Sequence, residues 1–325
     1  MKKNSFFRFI KKGALLSSIC ALCFAGFIGC KTVVQDESVP VKTVDILDDE
    51  GAMYIHIPAE ENRELLELFV MNFYKQLNQN DAKLIVSKID DVFASFGSKK
   101  DKKRIHLAVE GKFPGTINSI LKKSGFEENT YSAASLSEEV VFPSDYRYFQ
   151  NKGMQIALPS ESQMVFSQNV KPLLDMYNCE KQFLNGGFSL NGDSEEDNDC
   201  DNSSIYRNDW KSSDLYGWIS SDVPLIHFYI VRPQAFLTNL IGTDISNKVF
   251  KLVYAKGNFS KLPNSKYELT LELDFQDKKY VKPAVSLLIL ALGLTDSELR
   301  LTSPTHVILS GVHLNVSQLI NMLGI

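Results

Sequence analysis

An α+β fold, an antiparallel sheet with its helices on one face, follows from three features of the sequence. Short segments of alternating apolar and polar residues come in pairs joined by tight turns. A segment of helical period follows each pair. The same order then recurs on the far side of a long acidic stretch. Strands joined by tight turns are antiparallel, and helices that follow each hairpin cover one face of the sheet in a two-layer arrangement. The composition, 44% hydrophobic and 23% charged over 325 residues, is that of a globular chain with ample core.

The first unit reads Val44 to Leu47 as a strand, Asp48 to Gly51 as a turn and Met53 to Ile57 as a second strand. Pro58 stops it, and Leu65, Leu66, Phe69, Phe73 and Leu77 carry helical spacing over 61–77, with Glu60, Glu61 and Glu64 suited to the helix N-terminus. The second unit is a long strand over 84–96, a charged turn, its partner over 104–113 and a helix after Pro114-Gly115. The third is Met154 to Leu158, a turn, Gln163 to Ser167 and a helix from Pro172.

The order returns in the second half. A hairpin of 216–220 with 225–231 precedes a helix over 234–241. A long hairpin of 248–259 with 266–275 precedes a helix over 280–292. Strands over 299–302 and 306–316 precede a helix over 317–323. The sequence therefore predicts an internal duplication, three ββα units per half. The chain divides into a signal segment 1–29, a tether 30–43, an α+β half 44–184, an acidic flexible loop 185–210 and a second α+β half 211–325. The loop holds Asp193, Glu195, Glu196, Asp197, Asp199 and Asp201 with no base before Arg207. It has too little apolar surface to order itself.

Lys2, Lys3, Arg8, Lys11 and Lys12 form a basic start, followed by an uncharged apolar run from Gly13 to Ile28. That run is shorter than the roughly 20 residues a membrane helix needs. It ends in Phe27-Ile28-Gly29-Cys30, a small residue before a cysteine, and so resembles the lipobox of bacterial lipoproteins. Phe27 departs from the usual Leu, as in the relaxed boxes of spirochaetes. The resemblance covers the first 30 residues only. It implies cleavage before Cys30, acylation of Cys30 and residence on a cell or outer membrane after export. Several acyl chains hold firmly where one binds marginally.

Losing the signal removes five of the 35 basic residues and none of the 39 acidic ones, so the mature chain carries −9. With no basic patch left, nucleic acid is not an expected partner. Cys179 and Cys200 remain as an even pair in an exported chain, the candidate disulfide. A bridge over that span contributes about 3 kcal/mol in the chain-entropy picture. Asp197, Asp199 and Asp201 alternate like the start of a calcium loop. However, Asn202 stands where the loop needs Gly, and Asn208 where it needs the bidentate Glu, so this is a weak candidate and no metal is expected. The five histidines, His56, His106, His227, His306 and His313, all fall in expected strands without metal-ligand spacing. Read with Ser310-Gly311 as a two-residue turn, His306 and His313 share an outer face opposite Val307, Leu309, Val312 and Leu314. No nucleophile elbow, P-loop or dinucleotide motif is present. The expectation is therefore a protein without catalysis or cofactor.

One segment stands out. After Ser286 the helix over 281–294 is apolar on every side, which is the pattern of a helix buried in a core. Two functional readings follow. One is an anchored, non-catalytic envelope lipoprotein with a binding or structural role, its partners the bilayer, through acylated Cys30, and another envelope protein. The other is a carrier or sensor of a lipid or similar ligand, lined by Leu65, Phe69, Phe73, Leu287, Leu288 and Leu290 between sheet and helices. The anchor is tested directly: Cys30→Ala should leave a full-length precursor and abolish labelling by radioactive palmitate, and continued labelling refutes it.

Overall fold

Twelve strands of the described residues form one continuous antiparallel sheet. The structure is a computed structural model that describes residues 39–73, 78–97, 103–133, 145–185, 210–233, 251–292 and 298–323. The chain opens with a 3-10 turn at Thr43–Ile46, then β1 (Met53–Pro58), α1 (Ala59–Phe73), α2 (Gln79–Val86), β2 (Ile89–Phe96), β3 (Ile105–Gly111) and α3 (Thr116–Lys123). β4 (Glu127–Ser132), β5 (Asp145–Asn151), β6 (Met154–Ala157), β7 (Gln163–Ser167) and α4 (Lys171–Leu184) complete the first half. The second half holds α5 (Asp214–Ile219), β8 (Ile226–Ile230), β9 (Leu252–Lys261), β10 (Tyr267–Phe275) and a 3-10 turn at Lys278–Tyr280. It ends with α6 (Val281–Leu292), β11 (Glu298–Leu301), β12 (His306–Leu314) and α7 (Val316–Leu323).

The halves meet where β1 pairs with β8. Outward from that seam the strands run β1-β2-β3-β7-β6 on one side and β8-β9-β10-β12-β11 on the other, the same order, as duplication predicts. The first half alone extends further, through β5 and β4. This hairpin was not foreseen, because Glu127–Ser132 is polar throughout and mostly exposed.

The helices lie on both faces rather than on one. Along β1, Met53, Ile55 and Ile57 pack into one core with Leu65 and Leu66 of α1 and Val281, Ala284 and Leu288 of α6. Tyr54, between them, packs into a second core with Val44 and Ile46, Leu173 and Leu174 of α4, and Ile219 of α5. A strand apolar at nearly every position needs cover on both sides, and the sequence MYIHI carries that signal. The duplication also breaks at its last helix. Leu319 and Ile320 of α7 join the first core, whereas α4 joins the second.

Three expected strands differ. Residues 44–47 form part of a buried 3-10 turn, and 216–219 fall in α5. Segments of four residues are too short to distinguish strand from helix by period. The hydroxyl of Ser213 decides the second case by accepting the Tyr216 N–H at the helix start. The long strand over 84–96 is two elements. The Asn78 side chain accepts the N–H groups of Asn80 and Asp81 and starts α2, so β2 begins only at Ile89. Ser310-Gly311 is no hairpin turn either. β12 runs through it with a shift of register against β10 between Leu269 and Leu271, and Gly311 takes φ +80°.

In β9, Gly257 faces Phe228 across the pair. A Cβ there lies 2.2 Å from the Thr270 carbonyl oxygen and 2.7 Å from the Phe228 ring. Backbone cannot yield as a flexible side chain can. Gly257→Ala should therefore cost about 1–3 kcal/mol and lower the melting temperature by several degrees in calorimetry; an unchanged transition contradicts the packing.

Candidate functional site

The two layers differ in chemistry. Of the buried polar side chains among the described residues, Asn62 alone belongs to the α1 side, where its carbonyl oxygen accepts the Tyr267 hydroxyl. The strand residues His56, Ser95, His106, Gln163, Ser167, His227 and Lys256 face the second layer by register. The face that carries α1 and α6 is an almost wholly apolar core, and the opposite face sets a buried polar network beside its own apolar core of Tyr54, Leu173, Leu174 and Ile219.

Register builds that network. His56 stands opposite His227 across the seam and opposite Phe93 on β2. Its ring stacks on Phe93 at 4.3 Å, and its Nε2 lies 2.8 Å from Asp91 Oδ1. The Trp218 carbonyl on α5 accepts the His227 Nδ1–H at 2.9 Å. The Trp218 indole N–H in turn donates to the carbonyls of Phe228 (3.1 Å) and Gly257 (3.3 Å). Over that indole sits Lys256 Nζ, 4.7 Å from the ring centre and 2.9 Å from Asp214. Glu272 is 3.9 Å beyond it, and His306 is 3.5 Å from Glu272. In the sequence His56 and His227 stand far apart, with no metal-ligand spacing to link them. The signal that pairs them is the repeat Ile55-His56-Ile57 and Ile226-His227-Phe228, which register places side by side.

The segment before β1 is tied onto this face. Arg104 grips Asp48 with both guanidinium arms at 2.6 and 2.9 Å, and His106 Nδ1 stands 3.1 Å from the same carboxylate. Burial pushes the Asp48 carboxyl up, but His106 and Arg104 outweigh it and hold it below the usual range. The Tyr54 hydroxyl donates to the Asp48 carbonyl and accepts the Gly51 N–H, and burial pushes that phenol well up. Lys211 joins Glu180 of α4 at 2.8 Å to Asp45 at 3.6 Å. The Gln163 amide donates to the Val41 carbonyl at 2.6 Å.

The residues expected to line a ligand site are partly brought together. Leu65 and Leu288 belong to one packed core, with Leu287 against its margin. Phe69 packs instead on a smaller cluster around Leu107, Ile156 and Phe166. Phe73 and Leu290 lie on α1 and α6, their side chains outside the described residues. α6 is not apolar-buried on every side: Ile289 is 37% exposed, while Leu288 is 2% exposed. The space left among Leu273, Val285, Leu288, Ile289, Leu299, Val307 and Leu309 is about 10 Å³. Cys179 is buried on α4. Cys30, Cys200 and the acidic trio Asp197, Asp199 and Asp201 lie outside the described residues. His306 and His313 do lie opposite the core face of Val307, Leu309, Val312 and Leu314, His313 exposed and His306 half-buried.

Burial pushes the His227 imidazole below its ordinary value of 6.5, with the charge of His56 adding to the effect. Geometry agrees, because Nε2 is buried without a partner among the described residues and a proton there would be unpaired. A base with a lowered folded pKa binds protons more readily when unfolded, so stability falls as pH drops below about 6.5. Asp48 acts separately: its stabilisation is present above its unfolded value of 3.8 and is lost as pH falls through the lower folded value. Denaturant titrations across pH 7.5–4.5 should show this decline, and His227→Gln should flatten it. An equal slope in the variant refutes the assignment.

Comparison with known proteins matches this architecture. The structures of TP0453 in crystal forms III and I superpose with TM-score 0.57 at 13% identity. Form III covers 87% of this chain and 98% of its own, and form I covers 88% and 97%. Form IV gives 0.55, with 89% and 97% covered. No curated protein sequence matches the chain. The family model described as outer membrane-associated lipoprotein TP0453 matches residues 38–208, from the tied segment through α4 and on into the acidic stretch. The chain belongs to the family of the outer membrane-associated lipoprotein TP0453.

Proposed function

We propose that the protein is a non-catalytic envelope lipoprotein, anchored through acylated Cys30, whose rigid sheet binds or holds another envelope component. The observation that carries this reading is the sealed layer under α6. A site for a hydrophobic ligand needs several hundred Å³. The space at Leu288 is about 10 Å³, at the lower limit for one water. The polar network on the opposite face supports the same reading, since His56, His227, Asp48 and Glu180 are engaged in tying elements together. Membership of a lipoprotein family agrees with the anchor.

Leu288 decides between this reading and the carrier. In a sealed core, Leu288→Asp buries a charge that must desolvate or protonate, at a cost of several kcal/mol against a total stability of about 5–15 kcal/mol. Thermal unfolding of a variant lacking residues 1–30 should show that loss, with liposome co-sedimentation no worse than the remaining folded fraction allows. A near-unchanged melting temperature together with lost liposome binding overturns the reading and installs the carrier, with Leu65, Phe69, Phe73, Leu287, Leu288 and Leu290 as its lining.

A further inference from the structure

The sheet has two edges, and they are guarded differently. β4, at one end, presents Glu127 and Glu128, with Lys122 paired to Glu128. Charges of this kind discourage another strand from adding on. β11, at the other end, reads Glu298-Leu299-Arg300-Leu301 and is exposed at all four positions, with Leu301 at 58%. Pairing with β12 places Glu298 and Arg300 opposite Ser310 and Ile308 on one face. Leu299 and Leu301 lie on the other, where α6 leaves Ile289 exposed.

The backbone parity of β11 follows from its last hydrogen bond. The Thr302 N–H donates to the His306 carbonyl at 3.0 Å. In an antiparallel ladder, alternate residues turn both backbone groups to the same side. Thr302, Arg300 and Glu298 therefore turn theirs toward β12, and Leu299 and Leu301 turn theirs toward the open edge.

We propose that β11 is the docking edge for a second copy of this chain, paired antiparallel about a two-fold axis at Leu299. This axis is the one that the strand's own chemistry selects. It makes Leu299 a hydrogen-bonded pair with its counterpart. It sets Glu298 of each copy against Arg300 of the other, two complementary charge pairs from one strand. It also brings Leu299, Leu301 and Ile289 of both copies together on the α6 face. An axis at Arg300 keeps the open backbone groups of Leu299 and Leu301 paired but opposes the two Arg300 guanidinium groups and leaves Glu298 of each copy without its counter-charge. A four-residue edge is a small contact. Copies anchored to one membrane meet at raised effective concentration, which compensates for weak intrinsic pairing. The inference stands apart from the sealed-core reading, because β11 and Leu288 are tested by different substitutions.

The test uses the full acylated chain, in the envelope and in detergent. A hydrogen-bonded antiparallel pair has Cα atoms about 5.5 Å apart, within the roughly 4.4–6.8 Å that a disulfide spans. Under mild oxidation Leu299→Cys should give a crosslinked dimer that wild type does not. Leu301→Cys should not, since its two copies sit more than about 13 Å apart at ~3.4 Å per residue. By sedimentation, Arg300→Glu should weaken the dimer at least about tenfold, and the double variant Glu298→Arg with Arg300→Glu should restore it. Equal crosslinking at 299 and 301, or a double variant as weak as the single, overturns the proposal. So do monomers throughout, including the case in which Leu299→Asp and Leu301→Asp instead reduce binding to vesicles of phosphatidylethanolamine and phosphatidylglycerol, which reassigns the patch to the bilayer.

Discussion

The fold depends on the short seam between β1 and β8. Four residue pairs, Met53 with Ile230 through His56 with His227, join two five-strand blocks of equal order into one sheet. So short a ladder does not hold by backbone hydrogen bonds alone, each of which contributes about 1 kcal/mol net. It is clamped on both faces. On one side Ile55, Ile57, Phe228 and Ile230 share the core with α1. On the other, Trp218 reaches across to the carbonyls of both β8 and β9, and the turn before β1 lies over Tyr54.

That turn binds the two halves together. The segment from Val41 to Ala52 is tied to the first half by Gln163 and Arg104 and to the second by Lys211. The Ala52 carbonyl also accepts the N–H groups of Val231 and Arg232. Residues 41–52 thus lie at the middle of the sheet rather than at an edge. The family match begins at residue 38, just ahead of this segment. Both outer edges lie away from this segment, one guarded by glutamates and the other lined by leucines.

The contrast between the faces follows from what each must do. The α1 and α6 side buries aliphatic and aromatic groups with almost no polar atom to satisfy, so packing alone stabilises it. The other side buries histidines, a lysine and carboxylates, which is tolerable only when each charge meets a partner. Such a network makes the layer sensitive to pH where the apolar layer is not. Its contacts join α4 to the opening turn and α5 to β8 and β9.

How much was legible in the chain divides along physical lines. The hairpins β9–β10, β6–β7 and β11–β12, the bounds of α6, the antiparallel class and the repeated order were readable, because alternation, period and turn residues are local signals. Membership of a lipoprotein family was readable in part from the basic start and Cys30 alone. What Val44 and Tyr216 would do was not, since a four-residue segment acquires a helix or a strand only from what it packs on. Nor was the second covered face, although MYIHI hinted at it, because the residues that cover it are dispersed from Val44 to Ile219. The pairing of His56 with His227 lay furthest from view. The two residues are 171 positions apart in sequence, and a contact at that range exists only once strand order and register are set. A chain specifies its periods by itself, but which side chains meet across a seam is a property of the sheet.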